Sequence, residues 1–291
     1  MPNEQTIRAD AALVSRGLAA SRERAQSLIA GGCVRLNGSI LSKNSIRVSE
    51  NDVLEVTGDD LPYVSRGGLK LEKALDSFGV DPSGCVCMDI GASTGGFTDV
   101  LLQRGAARVY AIDVGVGQLD ARIAANPRVS SMEHVNARTL QPAMFPQRPV
   151  LGVMDVSFIS IGLILPAAFQ VLGPQGRMIS LIKPQFEAGP QHIGKKGIVS
   201  DPRVHEQVLR RIVELAPSHG WHVRALDFSP IAGGSGNIEF LGDFAADASC
   251  GVLSPSAEDI RALVQRAHRE LRKQKKGIST FKGGSHHGSL D

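Results

Sequence analysis

Aromatic residues make up only 4% of this 291-residue chain, with a single Trp and two Tyr. A nucleic-acid contact built on an aromatic stacking platform is therefore not the first expectation. Cysteine is scarce too, and Cys33, Cys85, Cys87 and Cys250 show no C-x-x-C spacing and stand mostly in apolar stretches. That pattern excludes a disulfide framework or zinc site and reads as reduced core thiols; no metal site is expected. No apolar run approaches the length of a membrane span, and the first ten residues lack the apolar core of a secretory signal, so a cytoplasmic location is expected. An excess of one charge sign is also missing: the net charge of +3 neither establishes nor excludes a polyanionic partner. What remains is 42% hydrophobic and 21% charged residues, ordinary for a folded chain long enough for one large α/β domain and a small appendage.

The chain is organised around Cys85–Phe97, where an apolar run ends in Asp89 and opens into Gly91-Ala-Ser93-Thr-Gly95-Gly96-Phe97. The residues that follow place Phe97, Val100 and Leu101 on one helical face. This predicts strand, tight turn and helix, the frame of a nucleotide-cofactor crevice. Gly91 permits the turn, and Gly95-Gly96 lets a ligand approach the backbone. The spacing G-x-x-x-G-G differs from the dinucleotide fingerprint G-x-G-x-x-G. A second apolar run, Arg108–Asp113, ends in an acid 22 positions after Gly91, where it could bind two ribose hydroxyls. The pattern resembles class I S-adenosylmethionine methyltransferases, and the resemblance implies Asp89, Gly91, Ser93, Gly95, Gly96, Phe97 and Asp113 as cofactor residues. An αβ turn without a ligand is the plainer alternative.

Residues 1–57 read as a separate unit. Ile7–Gly17 and Ser21–Gly32 are short amphipathic helices, the second with Ser21 as N-cap, and Cys33–Gly38 is a strand into an Asn-Gly hairpin turn. Ile46–Val48 and Val53–Val56 add short strands. The residues Arg8-Ala-Asp10, Leu18, Ser21-Arg22, Ala25, Ile29, Gly32-x-Val34-x-Leu-Asn-Gly38 and Lys43 make this unit resemble the S4 RNA-binding domain. Arg16, Arg22, Arg24, Arg35, Lys43 and Arg47 are then available for phosphate contacts. Charge alone would leave them as solvated surface residues, since seven basic residues face six acids here.

A polar linker is expected at 58–64. Beyond it, Ser65–Leu75 leads into a helix with Leu71, Ala74, Leu75 and Phe78 in one stripe, leaving Lys70 and Lys73 together on another face. Strands near Val129–His134, Val150–Asp155, Gly176–Ile182, Trp221–Phe228 and Ile238–Leu241 alternate with helices over Leu163–Val171 and Arg203–Ala216. The fold expected for 65–250 is α/β: a doubly wound, mainly parallel Rossmann-like methyltransferase sheet, with the small α+β S4 unit at its N-terminal side. A glycine-rich loop over Ala188–Ser200 carries Lys195 and Lys196, further candidates for RNA. The 251–276 segment holds a basic helix, Ser256–Lys276, with Ile260, Leu263, Val264, Ala267 and Leu271 on one face, and 277–291 reads as a disordered tail.

Chemistry in a parallel sheet gathers at the carboxyl ends of its strands. Lys183 follows six mostly apolar residues, and Glu239 interrupts Ile238–Leu241, where an unpaired carboxylate would be costly. With Asp155 and Lys70 they form a set resembling the Lys-Asp-Lys-Glu tetrad of FtsJ-related ribose 2′-O-methyltransferases. Two ordinary ion pairs at a sheet edge are the alternative. The order of parts resembles the TlyA family, also labelled hemolysin A, over about residues 5–245, the S4 unit being followed by Ser-Arg-Gly-Gly-Leu-Lys, Asp-Ile-Gly-Ala-Ser-Thr-Gly-Gly-Phe-Thr, Asp-Val-Ser-Phe-Ile-Ser, Leu-Ile-Lys-Pro-Gln-Phe-Glu and Gly-Asn-Ile-Glu-Phe-Leu. That resemblance implies S-adenosylmethionine-dependent 2′-O-methylation of cytidine ribose in ribosomal RNA, with ribosomal subunits as partners. It further implies Lys183 as base, Asp155 orienting it, and Lys70 with Glu239 positioning the hydroxyl. Two other classes stay in view: a membrane-lytic hemolysin, for which only the C-terminal helix offers an amphipathic element without aromatic anchors, and an inactive ribosome-binding module. No membrane or protein partner is implied.

Overall fold

In the computed structural model the described residues are 6–19, 21–30, 33–41, 43–56, 61–233, 236–246 and 254–280. The chain divides into two compact units, Met1–Arg66 and Gly67–Asp291.

In the first unit, β1 (Ile7–Arg8) leads directly into α1 (Ala9–Ser15), so the first helix starts two residues later than its apolar pattern predicts. Then come α2 (Arg22–Ala30), β2 (Val34–Leu36), β3 (Ser39–Ile40), β4 (Arg47–Val48) and β5 (Leu54–Val56). The Asn37-Gly38 turn has φ of 50° and 75°, the positive pair a two-residue hairpin needs, and it pairs β2 with β3. Ala9, Ala12 and Leu13 of α1 pack on Ala25, Leu28 and Ile29 of α2 and on Val34, Leu41 and Val48 to make the core. Of the stretch read as a linker, 58–60 lie outside the described residues, and Tyr63 and Val64 at its end are buried.

The second unit opens with α3 (Gly67–Phe78) and continues β6 (Val86–Ile90), α4 (Gly96–Gln103), β7 (Arg108–Ile112), α5 (Ala121–Ala124), β8 (Val129–Met132), β9 (Leu151–Met154), α6 (Leu165–Leu172), β10 (Arg177–Ile182), α7 (Pro184–Glu187), α8 (Pro202–Leu215), β11 (His222–Phe228), β12 (Phe240–Ala245) and α9 (Ala257–Thr280). The sheet order is β11-β12-β10-β9-β6-β7-β8. Pairs from β10 through β8 are parallel, whereas β12 runs antiparallel to both of its neighbours. The strand order reverses beside β6, which is where an open α/β sheet leaves a crevice. The last strand is shifted from its expected place: pairing of Ile182 with Phe240 leaves Ile238 and Glu239 just ahead of it. Because β12 is inverted, its first residues lie beside the carboxyl end of β10.

The C-terminal helix is part of this unit's core. Ile260, Leu263, Val264, Ala267 and Leu271 are buried in the main cluster with α8 and sheet residues. Full burial of the Ile, Leu and Val side chains among them contributes roughly 1.5–3 kcal/mol each. His268 reaches His205 Nδ1 through its Nε2 at 2.9 Å, and His205 Nε2 lies 3.1 Å from the Val199 carbonyl. The carbonyl can only accept, so His205 carries its proton on Nε2 and takes one from His268 on Nδ1. Burial pushes the His205 imidazole down to about 4, which keeps that ring neutral. The helix runs to Thr280, four residues past its expected end; of the expected tail, 281–291 lie outside the described residues. No helix among the described residues is long and apolar enough to cross a membrane.

Candidate active site

The turn after β6 has the geometry its glycines announced. Gly91 has φ +83°, and a Cβ there would stand 2.5 Å from the Asp155 carbonyl oxygen, so the β6 and β9 strand ends approach only because the side chain is missing. Gly95, at φ +92°, is the N-cap of α4. Asp113 holds the neighbouring strand end: one carboxylate oxygen accepts the Ser93 N–H at 2.8 Å, the other the Gly115 N–H at 2.7 Å. Each oxygen keeps a lone pair for a further donor.

These strand ends border a cleft of about 490 Å³. Gly91, Ser93 and Asp113 line it, as do Gln118, Asn136 and the segment Asp155–Ile159. Ile112, Val135 and Ile164 supply apolar wall. The volume, the acid at the β7 end and the mix of flat apolar wall with a few polar groups fit an adenosyl cofactor. Four expected cofactor residues do not line the cleft. Asp89, Gly96 and Phe97 are buried behind the turn, and Gly95 packs near Ile123. Asp89 has no exposed surface; its Oδ2 accepts the Thr98 hydroxyl at 2.6 Å while Oδ1 has no hydrogen-bond partner. Burial, opposed by the Thr98 hydroxyl, pushes this carboxyl up to about 7. Sequence reading missed Gln118, Asn136 and the apolar wall, because no spacing marks residues that enter a cleft from separate loops.

Beside the cleft the four candidate catalytic side chains meet. Lys183 Nζ is 2.5 Å from Asp155 Oδ1, and it donates to Ser157 Oγ at 3.0 Å. Lys70 Nζ donates to Glu239 Oε2 at 2.6 Å and lies 4.0 Å from Asp155 Oδ2. Asp155 therefore stands between the two ammonium groups, and Gln185 Nε2 approaches Glu239 Oε1 at 3.4 Å. Lys70, Lys183 and Glu239 are all buried. Two cations and two carboxylates leave the cluster formally neutral, the condition under which buried charge is tolerable.

Lys70 and Lys73 take different partners. Lys73 turns to β11, donating to the Phe228 carbonyl at 2.6 Å, pairing with Asp227 at 3.3 Å and standing 3.7 Å over the Phe228 ring. The helical wheel alone could not separate the two lysines, because both lie off the apolar stripe. Two of the few aromatics come to the site's lip. Phe158 is 90% exposed with φ +64°, and its ring lies 5.1 Å from that of Phe186. A bulky residue in the left-handed region is strained by about 1–2 kcal/mol, a cost that marks functional loops.

The expected RNA contacts fall into two groups. Arg16 donates to the Ser49 and Asp52 carbonyls, Arg35 to the Gly38 carbonyl, and Arg22 to the buried Asp10. Lys43, Lys195 and Lys196 are exposed. The Arg24 side chain lies outside what the structure describes.

A model of FtsJ-like methyltransferases matches residues 63–243, and an S4-domain model matches residues 7–54. The chain belongs to the FtsJ-like methyltransferase family. It is 45% identical over 274 residues to YqxC, the Bacillus subtilis rRNA methyltransferase candidate, across 93% of this chain and 97% of that one. It is 44% identical to the 16S/23S rRNA (cytidine-2′-O)-methyltransferase TlyA of Mycobacterium tuberculosis, across 80% of this chain and 88% of that one. A solved structure from Streptococcus thermophilus, described as a hemolysin, superposes with a TM-score of 0.76 at 42% identity, over 94% of this chain and 100% of that one. This FtsJ-like protein is an S-adenosylmethionine-dependent methyltransferase. Its catalytic unit carries an S4 domain ahead of it.

Proposed function

We propose that the protein methylates the ribose 2′-hydroxyl of a cytidine in ribosomal RNA, in the cytoplasm, with the S4 unit gripping the ribosomal subunit. The observation that carries this reading is the Lys70–Glu239 and Lys183–Asp155 cluster at the rim of the cofactor cleft. The TlyA relative's printed activity supports the same substrate. When bound, S-adenosylmethionine supplies an electrophilic methyl group on a sulfonium sulfur. Gly91, Ser93 and Asp113 would hold it in the cleft, Asp113 by the ribose hydroxyls, while Asp89 keeps the turn in place through Thr98.

A ribose hydroxyl attacks only as it loses its proton, so the site must supply a base in line with the methyl group. Lys183 in its amine form takes that proton as the oxygen takes the methyl group. Asp155 holds the Lys183 Nζ and balances the charge that forms there. Lys70, anchored on Glu239, adds a fixed positive field beside the developing alkoxide. The exposed ring of Phe158 gives the target base a surface on which to stack. Arg16, Arg22, Arg24, Arg35 and Lys43 in the S4 unit, with Lys195 and Lys196 on the catalytic unit, contact phosphates; an arginine bonded internally still has N–H donors to offer.

The test is to incubate the protein with labelled cofactor and unmodified ribosomal subunits and to map ribose methylation. Lys183→Ala should lower the single-turnover rate about 10²–10⁴-fold with cofactor affinity little changed. A chain beginning at Tyr63 should bind cofactor normally and lose methylation of subunits. Label on a base, or a Lys183→Ala rate close to the parent's, would sink the ribose mechanism.

A further inference from the structure

The two loops that carry Asp155 and Lys183 are tied together a second time, away from the reacting atoms. Glu187 closes the short helix α7, four residues after Lys183, and is 3% exposed. Its Oε1 accepts the Ile161 backbone N–H at 2.8 Å, and its Oε2 accepts the Ser160 hydroxyl at 2.8 Å. Ser160 and Ile161 end the segment that begins at Asp155 and carries Ser157 and Phe158. Arg211 of α8 approaches the same Oε2 at 3.3 Å and also donates to the Glu187 carbonyl. Ser160 in turn caps the next turn, accepting the Gly162 N–H at 3.2 Å.

We infer that Glu187 is a positioning residue for methyl transfer: it clamps the Asp155–Ser160 loop to α7 and so sets the distance between Asp155 and Lys183. The alternative is a carboxylate that only satisfies a buried N–H, and three features weigh against it. A single N–H can be satisfied by a neutral acceptor, without the desolvation cost of a buried charge. This carboxylate instead receives donors from two segments besides its own, and the segment it holds at 160–161 starts with Asp155. The remaining ties between the two loops are Lys183 to Asp155, Lys183 to Ser157 and the Phe158–Phe186 ring contact. Ser157 and Phe158 are exposed, so the last two ties lie where water competes for them, and the first is the pair whose spacing is to be held. The buried Glu187 carboxylate adds a bond set inside the protein and away from the reacting amine. Every residue of Lys183-Pro-Gln-Phe-Glu187 then has its own part in the site. Lys183 bears the reacting amine, Pro184 starts the helix, Gln185 touches Glu239, Phe186 backs Phe158, and Glu187 holds the opposite loop.

This inference rests on the proposed reaction for its kinetic readout, and a chemical readout makes it independent of that reaction. With subunits and cofactor saturating, Glu187→Ala should lower the single-turnover rate about 10–100-fold, the range expected when a reacting group shifts by about an ångström. Glu187→Gln keeps acceptor and donor for Ile161 and Ser160 and should stay within about threefold of the parent, as should cofactor affinity in both variants. In parallel, a small amine-labelling reagent followed by mass spectrometry reads the reactivity of Lys183 against exposed Lys195. That ratio should rise at least about fivefold in Glu187→Ala and stay near the parent value in Glu187→Gln. If Glu187→Ala does not fold, Ser160→Ala removes one arm of the clamp; it should lower the rate and raise the labelling ratio, each by about threefold or more. A parent rate and parent ratio in whichever variant folds overturns the inference. Should the parent protein fail to methylate any subunit, the proposed reaction falls, and the labelling ratio alone decides for or against the clamp.

Discussion

Among the described residues each of the two units buries one aspartate completely, and the two are treated in opposite ways. Asp10 in the S4 unit receives Arg8, Arg22, Gln26 and the Ala11 N–H, and the Arg8 guanidinium first of all holds its carboxyl well below the usual carboxylate range. Asp89 in the catalytic unit receives the Thr98 hydroxyl, leaves Oδ1 without a partner, and is pushed up to about 7 by burial. One unit uses a buried charge as a fastener for a small core that needs one. The other keeps an under-satisfied carboxyl behind the turn that follows β6. Under-satisfied polar groups concentrate where a protein works, because a scaffold gains nothing from them.

The comparison can be broken most forcefully at Asp10. Asp10→Ala should destabilise the N-terminal unit by about 2–3 kcal/mol, below the usual figure for a broken buried pair because Arg8 and Arg22 are half exposed and regain water. Denaturant melts followed in that unit, with cofactor affinity measured alongside, would show it; an unaltered melt removes Asp10 from its role as fastener.

Smaller per pH unit is the pH response, where the units should diverge in sign. A carboxyl raised on folding binds more protons folded than unfolded, so the stability it contributes is complete below pH about 4 and is lost as pH rises toward about 7. The catalytic unit without cofactor should weaken on the order of 1 kcal/mol per pH unit through that window from this group. Asp89→Asn should flatten that part of the curve. The depressed Asp10 acts the other way, contributing stability above pH about 4 that disappears as the solution is acidified. Equal slopes for parent and Asp89→Asn between these pH values would erase the contrast.

The smallest expected effect separates fastening from contact within the S4 unit. Lys43 is exposed, so Lys43→Ala should leave the melt within about 0.5 kcal/mol and lower the salt slope of RNA binding by about one. Arg22→Ala, by contrast, should lose about 0.5–1 kcal/mol of stability as well, because Arg22 also serves Asp10. Identical behaviour of the two variants in both measurements would show that internal bonding does not matter to an arginine's role at the surface.

Much of the site was legible because it is written locally. Gly91 takes a positive φ and lets the β9 end approach, and Asp113 ends its strand where a ribose-binding acid belongs. Glu239 and Lys183 drew notice as charges among apolar neighbours, an anomaly visible without any coordinates. Other features were hidden for equally physical reasons. Lys73 and Lys70 lie off the same apolar stripe, and only the partners supplied by β11 and by Glu239 distinguish a structural lysine from a candidate catalytic one. Low aromatic content argued against stacking, yet composition cannot tell where Phe158 and Phe186 are placed. The apolar stripe of the C-terminal helix pointed to a packed face, whereas the pairing of His268 with His205 across 63 positions was hidden.

By itself the sequence determined the units, the succession of strands and helices, and the turn chemistry at β6, because periodicity, capping and φ preferences act over a few residues. Only the tertiary structure decided the candidate catalytic cluster. Lys70 meets Glu239 across 169 positions of sequence, and Asp155 meets Lys183 across adjacent parallel strands. The Lys70–Glu239 meeting depends on β12 inserting antiparallel beside β10, so that its first residues reach the edge where the other strands end. That insertion follows from burying the strands of one sheet on both faces, a global packing solution that no short stretch of chain encodes.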